Sequence, residues 1–162
     1  MIYIGIDPGV SGGIATLRDD GSVIEAFAMP TTERDILDAL LPIGGLFVSR
    51  GKTITAHAIL ERVYSSPQMG VASAFTFGKG YGALLMALTA TRIPFDQVVP
   101  VKWQTVMGCR SRGDKNVTKA RAQQLWPDVK ITHAIADALL LAEYGRRLRV
   151  HVPPVDLVEA AR

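Results

Sequence analysis

The sequence predicts a mixed-sheet α/β domain, and two observations carry that prediction. Three short apolar runs follow one another at the N-terminus with only turns between them, and beyond them strand-like and helix-like segments alternate. Residues 2–6 alternate bulky apolar side chains with Tyr3 and Gly5 and stop at Asp7-Pro8-Gly9, the pattern of a buried strand closed by a turn. Residues 12–17 and 23–29 are apolar runs joined by Arg18-Asp19-Asp20-Gly21-Ser22, in which Asp-Gly is a hairpin signal. Together the three segments read as an antiparallel meander.

Thr32 followed by Asp35 caps a helix whose apolar stripe is Ile36, Leu37, Leu40 and Leu41, with Pro42 and Gly44-Gly45 blurring its end. Residues 53–63, rich in apolar and β-branched types, predict a central strand with Glu61 near its end. Residues 72–90 form a Gly- and Ala-rich helix whose small side chains permit close approach to a sheet or a partner. A short strand over 95–99 is closed by Pro100, and helices over 117–126 and 132–148 follow. Residues 1–149 read as one domain, and 150–162, with Pro153-Pro154, as a loosely held C-terminal extension.

The 162 residues suffice to bury a core, and 48% hydrophobic with 20% charged residues is a globular composition. A single cysteine, Cys109, excludes an internal disulfide framework and suits a reducing compartment. No unbroken run of 18 apolar residues occurs, and no basic stretch precedes an apolar one at the N-terminus. The expectation is therefore a soluble cytoplasmic protein with no signal peptide and no membrane partner. The net charge of +3 is unevenly placed: Lys102, Arg110, Arg112, Lys115, Lys119 and Arg121 stand against Asp114 alone. Such a cluster is either a polyanion-binding surface or a solvated helix face.

Three acids carry the candidate chemistry. Asp7 ends a strand, where open α/β sheets bind ligands on rigid scaffold, although Asp-Pro-Gly is also ordinary turn chemistry. Glu61 lies in a strand expected beside the first, and a buried carboxylate there needs a cation or strong donors. Alternation sends its neighbour Arg62 to the opposite face, an ion pair with Arg62 being the other explanation. Asp137 interrupts the most apolar helix, with Leu140, Leu141 and Tyr144 following it on the buried side. His133, one turn earlier on the same side, is either a joint ligand or a core hydrogen-bonding histidine. Separated acids with one histidine suit Mg²⁺ or Mn²⁺, whereas nothing offers the close spacing zinc prefers. Two such ions about 4 Å apart can activate a water and stabilise a leaving oxygen in phosphoryl transfer.

Gly5-Ile6-Asp7-Pro8-Gly9, Glu61-Arg62-Val63-Tyr64 and Ala136-Asp137-Ala138-Leu139, in that order, resemble the RuvC family of Holliday-junction resolvases, in particular its compact phage-encoded members. The resemblance spans residues 1–147 and extends to Gly78-Lys79-Gly80-Tyr81-Gly82 and to residues 101–108. It implies a ribonuclease-H-like fold: a five-stranded mixed sheet with its first three strands antiparallel, flanked by helices. It also implies that Asp7, Glu61 and Asp137 bind two Mg²⁺ ions, with Mn²⁺ able to substitute. In-line attack of water then leaves a 5′-phosphate and a 3′-hydroxyl. A homodimer is implied, nicking opposed strands of a four-way DNA junction in recombination and repair, in the cytoplasm of a bacterial host. Shape selects the junction, because two basic surfaces at a fixed angle fit only a branched substrate.

The chain departs from the family in one place. The family carries a carboxylate or histidine three residues before the last acid, where Ala134 stands here, and His133 takes that role from the same helix face. Lys115 matches a basic residue near the scissile phosphate, in a loop over 108–113 that DNA would order; a plain solvated loop is the alternative. Tyr64 matches an aromatic that stacks on an unpaired base, or else is a core aromatic. Lys102, Arg110, Arg112 and Lys119 join Lys115 and Tyr64 as expected DNA contacts. Trp103 and Trp126 are assigned to packing, and the 72–90 helix, through Gly78, Gly80 and Gly82, to the dimer interface. Rival readings are a nuclease of the same fold acting on forks, flaps or structured RNA, and a non-catalytic junction-binding protein. An actin-like nucleotide-binding protein would need two such domains.

Overall fold

Period-two alternation in the first strand decides the layering of the molecule. In the computed structural model, which describes residues 1–44, 47–49, 52–65, 68–110 and 112–149, β1 (Ile2–Asp7) is central. It pairs antiparallel with β2 (Gly13–Arg18), which pairs antiparallel with β3 (Val23–Ala28). The chain continues through α1 (Glu33–Leu40), β4 (Phe47–Ser49), β5 (Lys52–Ile54), β6 (Ala56–Glu61), α2 (Val71–Ala90), β7 (Phe95–Val98), α3 (Pro100–Met107), α4 (Lys115–Leu125) and α5 (His133–Arg149). The main sheet runs β3-β2-β1-β6-β7, with β6 parallel to β1 and β7 parallel to β6. This is the five-stranded mixed sheet, antiparallel in its first three strands, that the sequence predicts. Gly45, Ser111 and the extension over 150–162 lie outside the described residues.

Tyr3, Ala15, Leu17 and Ile59 project from the sheet into one core with Trp103, Met107, Ala122 and the apolar side of α5. Ile4, Ile6, Ile14, Ala58 and Leu60 project the other way, onto Ile36 and Leu40 of α1 and Leu84 and Leu88 of α2. Each fully buried isoleucine or leucine contributes about 1.5–3 kcal/mol, so both faces of the sheet are strongly covered. Gly5 is what lets α5 lie directly on β1: a Cβ there would fall on the Ala138 carbonyl and the Ala142 nitrogen. At Gly13 a Cβ would come within 2.5 Å of the Ala134 carbonyl, so β2 admits the first turn of α5 beside the end of β1 in the same way.

Two elements differ from expectation. The strand expected over 53–63 is two pieces: β5 pairs with β4 in a separate two-stranded sheet, and β6 enters the main sheet at Ala56. The break falls where the Thr55 carbonyl accepts from the Ile2 amide at 2.9 Å. Alternating composition persists across it, so periodicity does not reveal the change of partner. Helix α3 begins at Pro100, which reads in the sequence only as a strand stop; proline is equally favoured at the first turn of a helix, where its missing N–H costs nothing. Helix α4 starts at Lys115 because the Asp114 side chain accepts from the Asn116 amide at 2.9 Å. The expected Thr32 cap is formed, accepting from the Asp35 amide at 3.1 Å.

Helix α2 is, among the described residues, long and apolar enough by length and composition to cross a membrane, although no unbroken apolar run marks it. It lies against the sheet instead, burying Leu84, Ala87 and Leu88. Val71, Phe75 and Met86 stay exposed on another face, and Gly78 and Gly82 fall between them at helical spacing, with nothing within 4 Å of an added Cβ.

Gly5→Ala should destabilise the fold by about 3 kcal/mol, roughly a 10 °C fall in Tm, because two backbones must move apart. Gly80→Ala, at an open helix position, should be neutral or slightly stabilising in the same melting experiment.

Candidate active site

Asp7 shares its face of β1 with Tyr3 and Gly5, and Glu61 shares its face of β6 with Ile59, so both acids belong to the side of the sheet that α5 covers. The parallel register pairs Ile6 with Leu60, which puts Asp7 and Glu61 at the neighbouring ends of strands about 4.8 Å apart. Helix α5 crosses β1 at Ala138, one residue past Asp137. Two strand ends and one helix thus bring together the three acids singled out in the sequence.

Their charges bear on one another. Burial pushes the Asp7 carboxyl up to about 8, reinforced by Glu61 and then Asp137. Burial raises Glu61 to about 7, a hydrogen bond from Trp103 works against it, and Asp137 adds to the rise. Asp137 is also raised, first by burial, with a Thr118 hydrogen bond, Lys115 and His133 opposing. Lys115, exposed at the first position of α4, is the cation that acts on all three. One exposed lysine against buried Glu61 and half-buried Asp7 and Asp137 leaves the site short of positive charge.

Glu61 is 9% exposed, and its Oε1 accepts from the Trp103 indole nitrogen at 2.8 Å. The alternative ion pair with Arg62 is not formed: the Arg62 guanidinium lies 5.0 Å over the ring of Tyr64. The Thr118 hydroxyl is 3.2 Å from the Lys115 carbonyl and also meets the Asp137 carboxylate; with one proton it satisfies one acceptor at a time. Asp137 Oδ1 is buried without a hydrogen-bond partner. His133, exposed at the start of α5, lies close enough for its positive form to favour ionised Asp137.

Among the described residues no three His, Cys, Asp or Glu side chains are gathered at metal-binding distance. The donor set nonetheless fits a hard divalent cation: three oxygen donors, mutually repelling and partly desolvated, one with an orphaned buried oxygen.

Of the expected DNA contacts, Lys102, Arg110 and Arg112 are exposed and Lys119 is half-buried. Arg121, counted in the same charge cluster, is turned inward, its Nε donating to the Met107 carbonyl at 2.9 Å. Tyr64 is 64% exposed, which removes the core-aromatic alternative. Sequence reasoning missed two residues that touch the acids. Trp103 was assigned to packing alone, although a buried indole N–H requires an acceptor and a buried Glu requires a donor. Thr118 stands three residues after Lys115, on the same face of α4, and that spacing was its signal.

No family model and no curated protein matches the sequence. Solved structures do match, and they share this α/β fold. Thermus thermophilus RuvC superposes with a TM-score of 0.66 at 17% identity, over 93% of this chain and 96% of that one. T. thermophilus RuvC in complex with a Holliday junction substrate gives 0.67 at 17% identity, over 93% and 97%. The chain has a RuvC-like fold.

Raised carboxyls have a consequence for the metal-free protein. Their stabilising contribution is complete near pH 4 and is lost as pH rises through about 7 and 8, since folding then buries charge that the unfolded chain keeps in water. In EDTA, Tm should fall between roughly pH 5 and pH 8, and at pH 8 Asp7→Asn should melt at least about 3 °C above the unsubstituted protein. Equal Tm values at pH 8 would contradict the burial of the Asp7 charge.

Proposed function

We propose that this protein is a Holliday-junction resolvase, a divalent-metal-dependent endonuclease that acts as a homodimer and nicks two opposed strands of a four-way DNA junction. The observation that carries the proposal is the meeting of Asp7, Glu61 and Asp137 at one end of the sheet, in a fold that matches RuvC over nearly its whole length. One of the matched RuvC structures is a complex with a Holliday junction, which supports branched DNA as the substrate.

In this reading Asp7, Glu61 and Asp137 hold two Mg²⁺ ions, with His133 completing the set and Mn²⁺ able to substitute. Ions bound there would supply Lewis-acid polarisation of the phosphodiester and a water of lowered pKa. The remaining work belongs to the chain. Lys115 faces the charge that develops on the phosphate, leaving a 5′-phosphate on one product. Lys102, Arg110, Arg112 and Lys119 grip the backbone, and Tyr64 offers a stacking face beside the site. The exposed Val71, Phe75 and Met86, with Gly78 and Gly82 between them, are the face of α2 on which a second copy packs.

Asp7→Asn should keep junction binding and abolish cleavage in Mg²⁺, since the basic surface survives while the cation site does not. Lys115→Ala should slow cleavage by about 10²–10³-fold, and EDTA should stop it. Retained cutting by Asp7→Asn would falsify the metal assignment. Equal cleavage of junctions, forks, flaps and plain duplex would instead retain the nuclease and remove junction selectivity.

A further inference from the structure

We infer that Trp103 is a positioning residue for the metal site: its indole N–H fixes the Glu61 carboxylate through Oε1 and leaves Oε2 for a cation. The inference rests on reading Asp7, Glu61 and Asp137 as cation ligands. Three features of the contact support it. Both partners are buried, Trp103 completely and Glu61 at 9% exposure, so water does not compete for the bond. The donor comes from α3, 42 residues away in sequence, and Trp103 packs with Met107 and Cys109 in the core beneath α5. The indole therefore cannot swing with the strand it holds.

The chemistry of the donor is the third feature. An indole N–H donates only, never accepts and does not ionise. A lysine or arginine in that place would bring a positive charge that opposes a cation beside it, and a hydroxyl or amide could turn its acceptor towards the carboxylate. Trp103 binds a carboxylate oxygen without either effect. Groups that orient a ligand in this way, though they touch no metal, commonly change affinity by 10–100-fold when removed. Asp137 is held differently, by the shared Thr118 hydroxyl, with Oδ1 left unpaired.

The chain contains its own control. Of its two tryptophans, Trp126 also makes an indole hydrogen bond, to the Gly21 carbonyl at 2.9 Å, at the opposite end of β2 from Asp7. Trp103→Phe and Trp126→Phe each delete one indole N–H and keep an aromatic ring. Calorimetric Mg²⁺ titration of the full chain should show about tenfold weaker affinity for Trp103→Phe and unchanged affinity for Trp126→Phe, with Asp7→Asn losing binding. If Trp103→Phe binds Mg²⁺ within twofold of the unsubstituted protein while Asp7→Asn does not bind, the positioning role is overturned and the metal site stands. If Asp7→Asn also binds normally, the metal site itself is overturned, and the inference with it.

A second measurement leaves Trp103 in place. The unsubstituted protein has two indole N–H resonances, which the Trp126→Phe spectrum assigns. On adding Mg²⁺ the Trp103 resonance should shift along the same saturation curve as the heat, while that of Trp126 stays still. A Trp103 resonance indifferent to saturating Mg²⁺ overturns the proposal.

Discussion

The seating of α5 on β1 is the constraint from which the rest of the structure follows. A helix is normally held off a sheet by the side chains between them; here Gly5 removes one and the Ala138 and Ala142 backbone occupies its place. Gly13 does the same for the first turn, against the Ala134 carbonyl. The descent of α5 brings Asp137 down to the end of β1, where Asp7 stands, and parallel pairing supplies Glu61 from β6. Alternation then does the sorting. The acids share the α5 side of the sheet, while Arg62, just past the end of β6, stacks on Tyr64 instead of neutralising Glu61.

That arrangement works against stability. Burial raises the proton affinity of all three carboxylates, the neighbouring charges of Glu61 and Asp137 raise Asp7 further, and Asp137 does the same to Glu61. Nearby groups offset part of the strain: Trp103 donates to Glu61, Thr118 meets Asp137, and Lys115 acts on all three from the exposed start of α4. None of these closes the site, since Lys115 is exposed and Asp137 Oδ1 has no partner. A site short of positive charge, with an unpaired carboxylate oxygen, is suited to a cation. Such local cost is what functional sites typically carry on an otherwise well-packed scaffold.

Much of this was legible in the sequence because it is written in local patterns. The alternation of residues 2–6 gave β1 and its end at Asp7, the Asp-Gly pair gave the hairpin, and the apolar helix interrupted by Asp137 gave α5. What stayed hidden depends on tertiary pairing. Alternation runs unbroken through Thr55 from β5 into β6, so only hydrogen bonding separates the two. Pro100 closes β7 and opens α3, and the sequence supports both roles equally. Tyr64 lies past the last residue of β6, where alternation no longer assigns a side. The bond between Trp103 and Glu61 joins residues 42 apart, and no short-range pattern announces it.

Cleavage of an immobile four-way junction in Mg²⁺, with every nick mapped on all four strands, tests the central claim most directly. The account predicts nicks at symmetric positions on two opposed strands, with 5′-phosphate and 3′-hydroxyl ends that a ligase can seal. Asymmetric or unpaired nicks with unligatable ends, or cutting that persists without a divalent cation, would contradict it.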